Sequence, residues 1–354
     1  MNLNQHPALP STPRPIVAIG AGGIMRHAHL PAYQMCGWAV QAVYDPHAET
    51  AQALASDFGI PEVWSSIEHR DGVVYDLATP ASAVVEVLEQ LPDQAFVLIQ
   101  KPMGETLEQA TQILETCRRK RLKAAVNFQL RTAPYSLAVR DLMDSGRLGQ
   151  ILEVDVKVWV HTPWAQWYFL ELSPRMEVVY HSIHYVDFIR CLLGDPKSVK
   201  ANTIKHPASP KLHSSRSAVL LDYGPDTRAQ IVTYHAHDRG PKHQQSEFRI
   251  EGTLGSAIFR MGLNMNYPDG EPDFLEVRLN GMSDWETIPL EGSWFPHAFR
   301  GTMASMQRWA EGGPAPESNV GDAYRTMQVV EAIYRDAERL GTQIDAAPAG
   351  DPAH

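Results

Sequence analysis

From residue 15 onward, short continuous apolar runs alternate with amphipathic stretches. "PIVAIGAGG" reads as a strand ending in a glycine turn, and "IMRHAHLPAYQMC" as the helix after it. "AVQAVYDP" predicts a second strand, and "HAETAQALASDFG" a helix that Gly59 closes. "GVVYDLATP", "AFVLIQKP" and "KAAVNFQ" predict further strands, separated by helices over 81–91 and 105–121. Strands that are apolar throughout are covered on both faces, so this half predicts an α/β fold. Its form is a doubly wound parallel sheet of Rossmann type over residues 15–130. After residue 150 the pattern changes. "ILEVDVKVWVH", "SVKANTIKH", "RSAVLLDYG", "TRAQIVTYHAH", "QSEFRIEGT", "GSAIFRM" and "FLEVRLNG" are strands, many of them alternating, with turn residues between them. Helical periodicity returns only at 176–193, 297–311 and 321–340, the last with Asn319 as cap and Gly341 as stop. Residues 131–341 therefore predict an α+β domain with a large, open, mostly antiparallel sheet. The polar ends, 1–14 and 342–354, read as flexible tails.

Composition narrows the picture. A chain of 354 residues with 44% hydrophobic and 20% charged positions is an ordinary globular protein, long enough for two cores. A formal charge of −10 argues against nucleic acid as a partner. No apolar run reaches the roughly 18 residues of a membrane helix, and the start lacks a basic flank and apolar h-region, so a cytoplasmic location is expected. The three cysteines, Cys36, Cys117 and Cys191, form no C-x-x-C pair, which disfavours disulfide and zinc-thiolate frameworks.

The candidate chemistry lies at strand ends. "GAGGIM" places Gly20 for a tight turn and Gly22 for close approach of a pyrophosphate, with Met25 where a dinucleotide fingerprint expects Gly or Ala. Looser helix-to-strand packing is expected there. Asp45 ends the second strand, where a carboxylate accepts from ribose hydroxyls and repels a 2′-phosphate, so NAD is expected over NADP. Lys101 ends "FVLIQK" at the carboxyl edge, where open α/β sheets bind ligands. Asn127 and Arg131 follow the next strand and are divided between substrate contact and scaffolding. "WVHTPWAQWYFLELSPR" gathers Trp164, Trp167, Tyr168 and Phe169, for packing or a sugar-stacking wall, and Arg175, for gripping a carboxylate. In "YHSIHYVDFIR", Tyr180, His184 and Asp187 share a helical face with His181 one step round. The readings open for it are an active-site wall, a satisfied core cluster, and a metal site of His181, His184 and Asp187. The last lacks a further ligand, and no metal is expected.

The order and spacing of "GAGGIMRHAHLPA", "VYDPHAETAQALASDFG", "DLATP", "QKPMGETLEQA", "NFQLRTAP" and "HSIHYVD" with "LLGDP" resemble the Gfo/Idh/MocA oxidoreductases over about residues 15–340. The resemblance implies an NAD-dependent dehydrogenase that transfers hydride between nicotinamide and a carbinol of a sugar, polyol or related polyhydroxy compound. It implies a homodimer or homotetramer built through the second sheet. Lys101, His184 and Tyr180 become the implied catalytic residues. Gly20, Gly22, Gly23, Ile24, Asp45, Thr79, Pro80 and Gln100 would contact the cofactor. Lys101, Asn127, Arg131, Trp164, Arg175, His181 and Asp187 would contact substrate. The family's E-K-P glutamate is Gln100 here, and its D-x-G-x-H motif keeps only His184, with Tyr180 and Ser182 at the other places. These departures leave two alternatives: an NAD-binding regulatory protein of the same fold, or a lyase or hydrolase with transient NAD-mediated oxidation. With His184 as base, oxidation should accelerate around pH 6.5; with a Tyr180 tyrosinate it should climb towards about 10.

Overall fold

The computed structural model of the chain describes residues 1–339 and Gly341, apart from positions 167, 172 and 174. The expected tail 342–354 lies outside the described residues. The first half forms β1 (Ile16–Ile19), α1 (Leu30–Met35), β2 (Val40–Tyr44), α2 (Ala48–Phe58), β3 (Glu62–Trp64), β4 (Val74–Leu77), α3 (Val84–Gln90), β5 (Phe96–Gln100), α4 (Leu107–Arg119) and β6 (Lys123–Asn127). These six strands pair in the order β3-β2-β1-β4-β5-β6, all parallel. The order reverses beside β1, so the crevice past its carboxyl end is the ligand position of a doubly wound sheet.

A helix α5 (Pro134–Asp144) then leads to β7 (Ile151–Trp159), α6 (Ile183–Leu193), β8 (Ser198–Ile204), β9 (Arg216–Asp222), β10 (Arg228–Tyr234), β11 (Gln245–Gly252), β12 (Gly255–Arg260), β13 (Phe274–Leu279) and β14 (Glu286–Thr287). Helices α7 (His297–Ala310) and α8 (Val320–Ala337) close the chain. The second sheet runs β14-β13-β12-β11-β7-β10-β9-β8, antiparallel at every junction except β7 with β10. Along β7, Val154, Val156 and Val158 are buried while Leu152 and Trp159 are exposed, so one face packs and the other is open.

Several elements differ from the sequence reading. The short β3 and β14 carry too few residues to show a period, and α5, which begins on Pro134 in its first turn, went unread between the two domains. Helix α8 is capped by Asn319, whose Oδ1 accepts from the backbone of Gly321 and Asp322, but it ends at Ala337, short of Gly341. The second half is not one spatial unit. Phe299, Met303, Met306 and Ala310 of α7 are buried in the same core as Ile16, Ala18 and Leu98, so the chain returns to cover the first sheet. Residues 1–14 are not a free tail either. Leu3 is buried, Gln5 exchanges hydrogen bonds with Pro289 and Glu291, and the Gln307 amide pairs with both backbone groups of Arg14. The Gln307 and Glu311 side chains satisfy backbone groups of this extended segment, which is why a polar composition did not mean disorder. Among the described residues, no helix is long and apolar enough to cross a membrane.

Candidate active site

The first turn is built for close approach. Gly20 has φ +99°, and a Cβ there would lie 2.5 Å from the Ala78 carbonyl oxygen, so only glycine fits. At Gly22 an added Cβ would meet nothing within 4 Å, and at Gly23 only the His27 ring at 3.9 Å, so both present bare backbone to the crevice. Ile24 precedes a π-helical turn, Met25–His29, in which Met25 is fully buried. The widened turn is how the helix makes room for Met25 where the fingerprint has a small residue. Asp45 braces the loop from β2: its Oδ2 accepts from the Ala21 N–H at 2.8 Å and its Oδ1 from the His47 N–H at 2.9 Å. Past β4, Pro80 is exposed, and the Thr79 hydroxyl is buried without a hydrogen-bond partner. A strained glycine turn, bare backbone, a carboxylate at the second strand and an orphaned hydroxyl fit a dinucleotide. Gly20, Gly22, Gly23, Asp45 and Thr79 are the residues that would hold it.

Lys101 follows β5 and its Nζ donates to the Tyr180 backbone carbonyl at 2.8 Å. Among the described residues it makes no ion pair, and burial lowers its pKa to about 8. Gln100, in the place of the family's glutamate, accepts at Oε1 from the Asn127 amide at 2.9 Å and supplies no charge. Asn127 is fully engaged below the cleft, with its Oδ1 accepting from Thr302 at 2.6 Å, and it reads as scaffold rather than a substrate contact.

His184 comes from the other domain. It sits early in α6, edge-on to Trp294, and its Nδ1 is buried without a hydrogen-bond partner. Burial, and then the charge of Lys101, hold its imidazole well below the usual histidine range. Tyr180 lies in a π-helical turn, Glu177–Ser182, that precedes α6 and displaces the stacking expected of a regular α-helix. Its hydroxyl donates to the Glu105 carboxylate, and burial together with that bond pushes the phenol above its ordinary range. Burial and the bond to Glu105 both hold the phenol proton in place, which weighs against Tyr180 as the proton acceptor.

Three expected substrate contacts are turned elsewhere. Arg131 makes a fork of two bonds to Asp187, at 2.7 and 2.6 Å, and a third to Asp322 at 2.6 Å, while Thr326 donates to Asp187 at 2.9 Å. Both charges are buried and each is the other's partner, so neither Arg131 nor Asp187 is turned to a ligand, and His181, His184 and Asp187 form no metal set. Arg175 grips Glu331 of α8 and lies over the Tyr334 ring at 4.7 Å. Trp164 packs 5.0 Å from the His235 ring and 6.5 Å from the His181 ring. Trp167 and the side chains of Tyr168 and Phe169 lie outside the described structure.

Sequence reasoning passed over Glu105, Glu177 and His235. Glu105 is four residues past Lys101 and was legible as a neighbour. Glu177 is fully buried and His235 nearly so, from segments far apart in sequence, and only the fold joins them.

A dinucleotide crevice on a doubly wound sheet, with a lysine at its carboxyl edge met by a histidine from a second sheet domain, defines a two-domain nicotinamide-dependent oxidoreductase. The family models agree. Residues 15–128 match the oxidoreductase family with NAD-binding Rossmann fold of the GFO/IDH/MocA group, and residues 136–258 match a GFO/IDH/MocA C-terminal domain. The chain belongs to the Gfo/Idh/MocA family of NAD-binding oxidoreductases. It is similar to the 1,5-anhydro-D-fructose reductase of Ensifer adhaerens, 26% identical over 90% of this chain and 95% of that protein. The D-glucoside 3-dehydrogenase of Escherichia coli is also 26% identical, over 96% of this chain and 99% of that protein. In fold it resembles levoglucosan dehydrogenase solved with NADH and L-sorbose, with TM-score 0.76 and 20% identity over 92% of this chain and 96% of that one.

Proposed function

We propose that the protein oxidises or reduces a carbinol of a sugar, polyol or related polyhydroxy compound, with Lys101 and His184 as its catalytic residues. The observation that carries this reading is their convergence from two domains: a half-buried lysine with no carboxylate partner among the described residues, close enough to depress a histidine that has an orphaned ring nitrogen. When bound, the nicotinamide supplies the hydride acceptor or donor. Protonated Lys101 polarises the reacting oxygen and steadies its developing negative charge. His184, held neutral, takes the hydroxyl proton on its imidazole during oxidation and returns it during reduction. Tyr180 acts on this pair through its backbone: its carbonyl orients the Lys101 ammonium. Relatives named for anhydrofructose reduction and glucoside 3-oxidation support the polyhydroxy substrate class. The outer face of the second sheet exposes Leu152, Trp159, Ile204 and Leu220, which supports a homo-oligomer formed across it.

The test is NAD reduction across aldoses, alkyl and aryl glucosides, anhydrosugars, uronates and inositols, with wild type beside Lys101→Ala. Turnover on one of these classes, cut about a hundredfold or more in the variant while NAD affinity holds, is the expected result. NAD binding with no turnover on any class would favour the regulatory reading of the same fold.

A further inference from the structure

One side-chain cluster beside the cleft is not used by hydride transfer. Glu177, His181 and His235 place one ligand atom each within 4.8 Å of one another, with Glu177 and His235 buried. The His235 Nε2 lies 3.3 Å from the Glu177 Oε1. In a tetrahedral zinc site with bonds of about 2.0–2.2 Å, neighbouring ligand atoms lie roughly 3.3–3.5 Å apart, so this pair already has the spacing. His181 offers its ligand atom within 4.8 Å of the other two, and its ring must draw inward for all three to share that spacing.

What surrounds the three residues has the pattern of metal ligands. His235 meets the Thr162 hydroxyl through Nδ1 at 2.9 Å, and His181 meets the Tyr185 hydroxyl through Nδ1 at 3.4 Å. In each ring the hydroxyl at Nδ1 can accept the ring proton, which frees Nε2 to offer its lone pair when a metal is bound. Glu177 is aimed by two hydroxyls, Ser182 at 2.6 Å on Oε1 and Ser217 on Oε2. Thr233 in turn meets the Ser217 hydroxyl at 2.8 Å. Local geometry explains the placement: Glu177 and His181 lie four residues apart in the π-helical turn, and His235 follows β10 directly. Trp164 closes the outer side over both rings.

We infer that Glu177, His181 and His235 form a binding site for a divalent transition metal of the zinc class. Two imidazoles and one carboxylate are the set of open, three-ligand sites, in which a fourth position takes water or a substrate oxygen. Zinc binding replaces the hydrogen bond between His235 Nε2 and Glu177 with two metal bonds, and the ring's single proton passes from Nε2 to Nδ1, where the Thr162 hydroxyl accepts it, so charge and protons balance without loss of a proton to solvent. The site stands without the hydride-transfer reading, since no ligand is shared with Lys101 or His184.

The experiment uses the full chain with NAD bound, freed of metal by a chelator and titrated with zinc chloride by calorimetry. A parallel titration with cobalt chloride is followed by the visible absorption of tetrahedral cobalt. One equivalent of zinc is expected, with an affinity that falls at least tenfold in His181→Ala and in His235→Ala, and with a cobalt band that both variants lose. Because His235 is buried, His181→Ala is the deciding variant, and retained NAD binding with an unchanged melting temperature shows that it folds. Absence of zinc binding by wild type, or unchanged stoichiometry and affinity in a folded His181→Ala, would overturn the site. Lost dehydrogenase activity with intact zinc binding would instead count against the proposed function alone.

Discussion

In the proposed mechanism, Lys101 and His184 would set opposite limits on the pH range in which oxidation can run. His184 must be neutral to accept a proton, and burial with the neighbouring Lys101 charge lowers its pKa, so the acid limb of kcat/KM should lie below pH 6.5. This shifts the expectation drawn from an unperturbed histidine. Lys101 must be protonated to polarise the oxygen, and its pKa of about 8 places a decline on the alkaline side near that pH. Lys101→Arg, which keeps its charge, should lose the alkaline decline while retaining part of the rate. A wild-type profile that climbs through pH 8 would make neutral lysine the base. At Asp45, the carboxylate accepts from the loop backbone, and no lysine or arginine directly follows it to neutralise a 2′-phosphate placed beside it. Clash and lost ribose bonds should favour NAD over NADP by about 1.5–3 kcal/mol, ten- to a hundredfold. Binding titrations of wild type and Asp45→Ser check it: the variant should narrow the gap, and equal wild-type affinities would remove Asp45 from the cofactor site.

At the scale of elements, the junction of the 129–132 turn, α6 and α8 is tied by buried charge. Arg131 bridges Asp187 and Asp322, and Arg190 reaches the Asp322 and Thr326 side chains. Asp187→Ala leaves Arg131 short of its principal partner in a buried site and should cost about 3–5 kcal/mol, somewhat less if Asp322 compensates. Denaturant midpoints measure it, and a paired replacement, Arg131→Met with Asp187→Leu, should recover most of the loss because no charge is left unpaired. A single variant within about 0.5 kcal/mol of wild type would show that the pair contributes nothing to holding α6. The two π-helical turns belong to this scale as well. One seats Met25 under the glycine loop, and the other carries Glu177, Tyr180 and His181 ahead of α6. In both, an extra residue per turn re-aims side chains that a regular helix would have directed elsewhere.

For the whole molecule, the open face of the second sheet is where the proposed homo-oligomer would form. Trp159 lies 4.8 Å from Tyr234 on the neighbouring strand, and Leu220 and Ile204 continue the exposed apolar surface across β9 and β8. Trp159→Glu should shift the sedimentation of the protein towards monomer with its fold intact; an unchanged mass would place the oligomer contact on another face. How much of this was legible follows from which forces are local. The alternation of continuous apolar runs with amphipathic ones determined the parallel sheet, and the later period-two runs determined a second, mostly antiparallel one, because side-chain periodicity alone dictates which faces are buried. The glycine turn, Asp45, Lys101 and His184 could be read as well, since strand ends and motif spacing carry them. Tertiary structure decided the rest. It paired Arg131 with Asp187, turned Arg175 to Glu331 and Tyr180 to Glu105, folded residues 1–14 and α7 back over other parts of the chain, and brought His235 to Glu177. Each of these is a partnership of polar groups or faces distant in sequence, and a buried charge or hydrogen-bonding group takes whichever partner the packing brings, which spacing along the chain does not encode.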